Sequence, residues 1–133
     1  MNTKIMDPHD LAFTISPSVS NIVLHSEESG PSWVEFIAWY QQDNKYEIVR
    51  ITLQRSVGVR MCSVGGEAGT SGIGEVSNSL WLQQLNEHQH KYYPDYADNF
   101  KNVRHYYIVG HDESIEFLSE GFTWKTMKVL HNW

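Results

Sequence analysis

The residues best suited to chemistry lie in the C-terminal part of the chain, where histidine and carboxylate side chains alternate with apolar ones. The run from 104 to 124 reads RHYYIVGHDESIEFLSEGFTW. A histidine held by a carboxylate can act as a general base, because the carboxylate orients the imidazole and stabilises its charged form. His105 with Glu120, and His111 with Asp112, are the two candidate acid–base pairs. One hypothesis for this sequence is therefore a small enzyme that uses one of these pairs.

A β-hairpin would position these side chains. Two segments rich in β-branched and aromatic residues, 106–109 and 115–118, flank a turn-like segment centred on Asp112 and Glu113, which predicts two antiparallel strands. Successive side chains of a strand point to opposite faces. One face of the hairpin is apolar and is expected to be core: Tyr106, Ile108, Ile115 and Phe117. The other face is expected to meet solvent, and it carries His105, Tyr107, Glu116 and Glu120.

The predicted register places His105 opposite Glu120, and Val109 opposite Glu116. The alternative to catalysis is an ordinary solvent-exposed pair, which is worth about 0.2–1 kcal/mol. No recognisable nucleophile stands beside either partner in the sequence, and no GxSxG motif occurs. The exposed pair is therefore favoured over an enzyme.

The sequence predicts neither a metal site nor a cofactor. His88 and His90 lie two apart on a predicted helix, where such neighbours diverge, while His105 and His111 would lie roughly 20 Å apart along the hairpin. No HExxH motif occurs, and the single cysteine, Cys62, can form neither a disulfide framework nor a zinc site by itself. The glycines at 72 and 74 only weakly match a GxGxxG loop, because its third glycine is missing.

Tyrosines are concentrated in the segment HKYYPDY, residues 90–96. Tyrosine provides a large amphipathic contact area and is favoured at recognition surfaces; local packing around a helix end explains the cluster equally well. The predicted binding surface joins these residues to the polar face of the hairpin: Tyr92, Tyr93, Asp95, Tyr96, His105, Glu116 and Glu120.

Composition and charge narrow the class of partner. The 133 residues carry a formal net charge of -6, which disfavours nucleic acid and anionic membranes and favours a basic protein surface.

No apolar run approaches the roughly 20 residues of a membrane span, and no secretory signal is recognisable, so a cytoplasmic protein is expected. The length suits a single domain over 1–133, with an irregular lead-in at 1–20. Aromatic residues and open strand edges also allow a homo-oligomer.

The hydrophobic pattern predicts an α+β fold: one antiparallel sheet of about five or six strands, with one main helix packed on one face. Residues 33–40 are apolar on both faces, which predicts a central strand covered on each side. Strands at 46–54 and 57–64 would continue a meander, and a final strand is possible in 122–133. After a flexible loop at 65–74, Ser77 or Asn78 would cap a helix over roughly 79–91.

Four motifs resemble a group of small uncharacterised bacterial proteins. The motifs are Asn78-Ser79-Leu80-Trp81-Leu82, Arg104-His105-Tyr106, His111-Asp112, and the run from Ile115 to Phe122. The resemblance implies a compact α+β protein without an assigned activity, and similar small acidic bacterial proteins serve as immunity partners of toxins. Together with the charge and the tyrosines, it favours a non-catalytic binding protein, for which an immunity-like role is one candidate, over the enzyme.

Overall fold

Strand-forming residues build most of this chain. The computed structural model describes residues 10–16, 22–26, 32–62, 72–110 and 113–130. Its elements in chain order are β1 (Thr14–Ile15), β2 (Val23–His25), β3 (Trp33–Tyr40), β4 (Lys45–Gln54), β5 (Gly58–Cys62), β6 (Gly72–Glu75), α1 (Leu80–Tyr92), a 3₁₀ helix (Pro94–Phe100), β7 (Arg104–Val109), β8 (Ser114–Ser119) and β9 (Gly121–Leu130).

The strands form two antiparallel sheets, so the prediction of an α+β protein with a single sheet is wrong and the fold is mostly β. The first sheet has the order β1-β3-β4-β9, and β2 also pairs with β3. The second sheet has the order β5-β8-β7-β6. The expected meander ends at β4, because β5 pairs with β8 instead of returning along β4.

The chain passes between the sheets at two adjoining corners. Arg55 adopts the left-handed region (φ 47°) between β4 and β5, a conformation that is uncommon for residues other than glycine. The amide of Glu120, between β8 and β9, donates to the carbonyl of Gln54 at 2.8 Å, and the amide of Val57 donates to that of Leu118 at 2.8 Å. These bonds join the two corners, so β4–β5 and β8–β9 run as one bent antiparallel pair.

One hydrophobic core takes side chains from both sheets. Val34, Phe36, Val49 and Ile51 of the first sheet belong to the same buried cluster as the apolar face of the hairpin. Full burial of such a side chain contributes about 1.5–3 kcal/mol. The prediction that Tyr106, Ile108, Ile115 and Phe117 are core is confirmed, since all four are buried.

Strand β3 lies inside the first sheet, between β4 and the short strands β1 and β2, yet only one of its faces is fully buried. Trp33 on the other face is half-buried between the His25 ring, stacked 4.7 Å away, and the Arg50 guanidinium, 3.9 Å from the ring. The prediction that both faces of β3 are covered is therefore wrong. Neighbouring side chains shield the outer face only partly, and no second layer of structure packs on it among the described residues.

Helix α1 begins at Leu80, three residues after Ser77, the first of the two predicted caps. Its N-cap is Ser79, whose hydroxyl oxygen accepts the amide of Leu82 at 3.0 Å. Trp81 of the first turn packs against Gly58 of β5, where an added Cβ would lie 2.9 Å from the indole ring. Glycine at this position lets the helix approach the outer face of the second sheet.

A polar cluster lies at one end of the core. Glu47 is buried and accepts a hydrogen bond from Thr126 at 3.1 Å, and the Tyr40 hydroxyl also bonds to Glu47. Burial, followed by the bond to Glu47 and the charge of that carboxylate, raises the pKa of Tyr40 to about 12.

This raised pKa predicts a loss of stability in alkali. A tyrosine in the unfolded chain ionises near pH 10, so the contribution of Tyr40 is complete below that pH and is lost as the pH rises towards 12. We expect Tyr40→Phe to reduce the alkaline loss of unfolding free energy, measured by urea unfolding at about pH 9 and about pH 11. Tyr46→Phe, which removes a hydroxyl from the neighbouring strand, is the control. An equal alkaline loss in Tyr40→Phe and the unsubstituted protein would contradict the assignment.

Candidate functional site

The hairpin that carries the predicted acid–base residues reverses one position earlier than expected. Val109 pairs with Ser114, and the amide of Gly110 donates to the carbonyl of Glu113 at 2.9 Å. Moving the centre by one residue moves every cross-strand partner by two, so each side chain stays on its predicted face. His105 is therefore opposite Leu118, not Glu120, and Glu116 is opposite Tyr107.

The polar face of the hairpin does not meet solvent as expected. His105 is 1% exposed and Glu116 is 0% exposed. The prediction is wrong at these two positions because α1 and Trp81 lie on this face. The Trp81 and His105 rings meet in a T-shaped pair with their centroids 5.3 Å apart. Strand β8 is thereby buried on both faces.

Burial brings three polar side chains into one hydrogen-bonded row. His105 Nδ1 lies 2.6 Å from Ser79 Oγ, and His105 Nε2 lies 2.6 Å from Glu116 Oε1. If the Nε2 proton is donated to the carboxylate, Nδ1 accepts the hydroxyl proton of Ser79, and the hydroxyl oxygen remains an acceptor for the Leu82 amide. The row thus connects a strand of the second sheet to the first turn of α1.

Arg60 extends this row on the side of Glu116. Its Nη2 donates to Glu116 Oε1 at 2.9 Å, and its guanidinium lies 4.3 Å from the Trp81 ring. The guanidinium supplies the positive charge that a fully buried carboxylate requires. We call the buried Ser79, His105 and Glu116, together with the partly exposed Arg60, the buried relay.

Serine, histidine and carboxylate in this order form the arrangement that activates a serine nucleophile. In this chain, however, the Ser79 oxygen caps α1, and all three side chains are buried. A buried polar network with its partners in place makes one arrangement of helix and sheet specific. The geometry therefore supports a relay that anchors the helix.

Ser79 and Arg60 were missed as partners of His105 and Glu116. Ser79 lies 26 positions from His105, and Arg60 lies 56 positions from Glu116, so no local spacing connects them. The only signal in the sequence is weak: Ser79 directly precedes an amphipathic segment, which is typical of an N-cap.

The remaining predicted acid–base residues lie elsewhere. Glu120 is partly exposed at the corner between the sheets and forms an ion pair with Arg55 at 3.0 Å. It therefore does not orient His105. His111 and Asp112 lie outside the described residues.

The tyrosines form an exposed group at the junction of α1 and the 3₁₀ helix. Tyr92, Tyr93 and Tyr96 are 57%, 53% and 62% exposed, and Asp95 between them is exposed as well. The His88 ring lies 4.8 Å from the Tyr92 ring and 6.1 Å from the Tyr93 ring. We call His88, Tyr92, Tyr93, Asp95 and Tyr96 the tyrosine surface. The predicted binding residues therefore do not form one surface. Tyr92, Tyr93, Asp95 and Tyr96 are exposed, whereas His105 and Glu116 are buried. Glu120 lies apart from both, at the corner between the two sheets.

Metal and nucleotide chemistry find no support in the described part of the chain. No group of three or more histidine, cysteine or acidic side chains there could hold a metal ion. The predicted flexible loop at 65–74 is described only from Gly72, where strand β6 begins; the segment that weakly matches a dinucleotide loop therefore starts in a strand.

Helix α1 has thirteen residues, largely polar, and none of the described helices is both long and apolar enough to cross a bilayer.

Comparisons with family models, curated proteins and solved structures returned no match to this chain.

Proposed function

We propose that this chain is a non-catalytic bacterial binding protein that contacts a basic protein partner through the tyrosine surface, in an immunity-like role. The observation that carries the proposal is the exposure of three neighbouring tyrosines, each by more than half. Exposed large aromatic groups in a cluster are typical of interaction sites, and tyrosine is enriched among the residues that dominate binding energy.

The backbone beneath the tyrosine surface is well ordered by its hydrogen bonds. The amide of Tyr93 donates to the Gln89 carbonyl at 2.8 Å, and the amide of Tyr96 donates to the Tyr93 carbonyl at 2.9 Å. Pro94 fixes one backbone angle at the start of the 3₁₀ helix. A surface held in its bound conformation loses less entropy on association, which favours recognition by these side chains.

The net charge of the whole chain supports a basic partner more strongly than the charges next to the tyrosines do. Around the tyrosines, three exposed carboxylates (Glu87, Asp95 and Asp98) stand against two exposed lysines, Lys91 and Lys101. The local excess is small, whereas the formal net charge of the chain is -6. Such a charge accelerates encounter with a cationic protein, and the effect falls as salt is added.

The buried relay favours binding over the enzyme that uses His105. Both ring nitrogens of His105 are engaged within the protein, by Ser79 and by Glu116. A general base must reach the proton that it abstracts from the substrate, and a 1% exposed imidazole does not. His105 and Glu116 therefore anchor the first turn of α1 and make no contact with the partner.

A partner isolated from the host at low salt provides the test. Once it is purified, we expect Tyr92→Ala and Tyr96→Ala each to raise its dissociation constant at least about tenfold, equivalent to about 1.4 kcal/mol. Both side chains are exposed, so the fold, followed by circular dichroism, should not change. Val23→Ala is the matched control, because Val23 is an exposed apolar residue on the first sheet.

Two outcomes would contradict the proposal. One is a purified partner that binds the tyrosine variants and the unsubstituted protein equally well. The other is hydrolysis of an activated ester by the unsubstituted protein that Ser79→Ala abolishes while the variant stays folded, since that result would show the relay working as a catalyst.

A further inference from the structure

Strand β9 is an edge of the first sheet with an unusually exposed second half. It has ten residues and, within the described part of the chain, pairs only with β4. The five consecutive residues Lys125 to Val129 are all exposed. A strand exposed on both faces, with one open edge, presents backbone donors and acceptors that another extended chain can pair with.

We propose that the open edge of β9 binds an extended acidic segment of another protein, which adds to the first sheet as a further strand. Backbone hydrogen bonds supply affinity in this mode of recognition, and side chains on alternate positions supply specificity. This inference does not depend on the tyrosine surface, which lies on the helical part of the chain.

The acidic character of the segment follows from two lysines on one face of β9. Residues three apart on a regular strand point to opposite faces, but the register shifts between Ile48 and Val49 of β4. Lys125 is paired with Arg50 and Lys128 with Ile48, so the shift brings both lysines to the outer face of the sheet. Neither lysine forms an ion pair with any described residue, although the chain as a whole is acidic.

Charge also argues against a second copy of this chain as the occupant. Two β9 strands pairing antiparallel would bring the Lys125 and Lys128 side chains of one copy towards those of the other, and like charges on facing strands are destabilising. A segment with carboxylates would pair with both lysines, and its apolar residues would cover Met127 and Val129, which are exposed.

The test uses two synthetic peptides about eight residues long, the length of an ordinary strand. One alternates glutamate with valine and threonine, and the other has lysine in place of glutamate. Binding is followed by amide ¹H–¹⁵N shifts of the full-length protein. We expect the glutamate peptide to shift the amides of 121–130 and the lysine peptide to bind at least about tenfold more weakly.

The variant Lys125→Glu/Lys128→Glu should weaken binding of the glutamate peptide at least about tenfold. The control Lys91→Glu/Lys101→Glu makes an equal charge change at two exposed lysines of the helical part and should not weaken it. The proposal is overturned if both peptides bind alike, if the shifts lie away from β9, or if neither peptide binds. Self-association of the double variant, together with no peptide binding by the unsubstituted protein, would show instead that the lysines only protect the edge from aggregation.

Discussion

Glu116→Ala should lower the free energy of unfolding by about 3 kcal/mol. The Glu116 carboxylate accepts from His105 Nε2 at 2.6 Å and from Arg60 Nη2 at 2.9 Å. Its removal takes away an acceptor from a buried imidazole and from a guanidinium that is partly exposed, and it leaves a space between the second sheet and α1. Urea unfolding at neutral pH, followed by circular dichroism, measures the loss.

Glu120→Ala is the matched control for this experiment. Glu120 lies four residues further along the chain, and its partner Arg55 is largely exposed. Exposed ion pairs contribute about 0–1 kcal/mol, so this variant should remain close to the unsubstituted protein. Equal destabilisation by the two substitutions would contradict the assignment of Glu116, and not Glu120, as the partner of His105.

Ser79→Ala should destabilise the protein by about 2 kcal/mol, because the Ser79 hydroxyl takes part in two hydrogen bonds and the substitution removes both. The Ser79 oxygen caps α1 by accepting the Leu82 amide, and loss of such a cap costs about 1 kcal/mol. The same hydroxyl lies 2.6 Å from His105 Nδ1 inside the protein, and a buried group that loses its partner costs about 1–3 kcal/mol. Hydrogen exchange of the Leu82 and Gln83 amides should accelerate along with the fall in global stability.

Ser77→Ala tests the cap that the sequence first suggested. Ser77 lies two residues before Ser79 and is exposed, so its loss should change stability by less than about 0.5 kcal/mol. A larger effect at Ser77 than at Ser79 would mean that the helix begins earlier than the structure shows.

Sequence patterns predicted the local parts of this fold well. Alternation along β7 and β8 correctly assigned Tyr106, Ile108, Ile115 and Phe117 to the core, because a strand with one apolar face must bury it. The predicted strand at 33–40 matches β3, and the predicted helix at 79–91 matches α1 within one residue at each end. These features depend on neighbours a few residues apart.

The number of sheets depends on contacts that no local pattern contains. Residues of β5 pair with β8 more than fifty positions away, and nothing in the composition of 55–57 distinguishes a corner from a tight reversal. The burial of His105 and Glu116 was missed for the same reason. A histidine and a glutamate on an alternating strand are typical of a solvent face, and only the position of α1 over that face makes them internal.

The candidate site was therefore only partly predictable. The exposed Tyr92, Tyr93, Asp95 and Tyr96 lie where a polar, aromatic segment with a proline is expected to lie, at the end of a helix. The buried relay needed the tertiary structure, because its four members come from β5, β7, β8 and the residue before α1.

The bent pair that joins the two sheets has a consequence for how the chain folds. Strand β4 finds its second neighbour only in β9, and β5 finds its neighbour in β8, so Gln54 and Gly121 must meet across half the length of the chain. Such distant pairings close large loops and slow folding to roughly milliseconds or seconds. During synthesis on the ribosome, β4 and β5 must wait for β9 and β8 to emerge, and this waiting period is the one most open to misassociation.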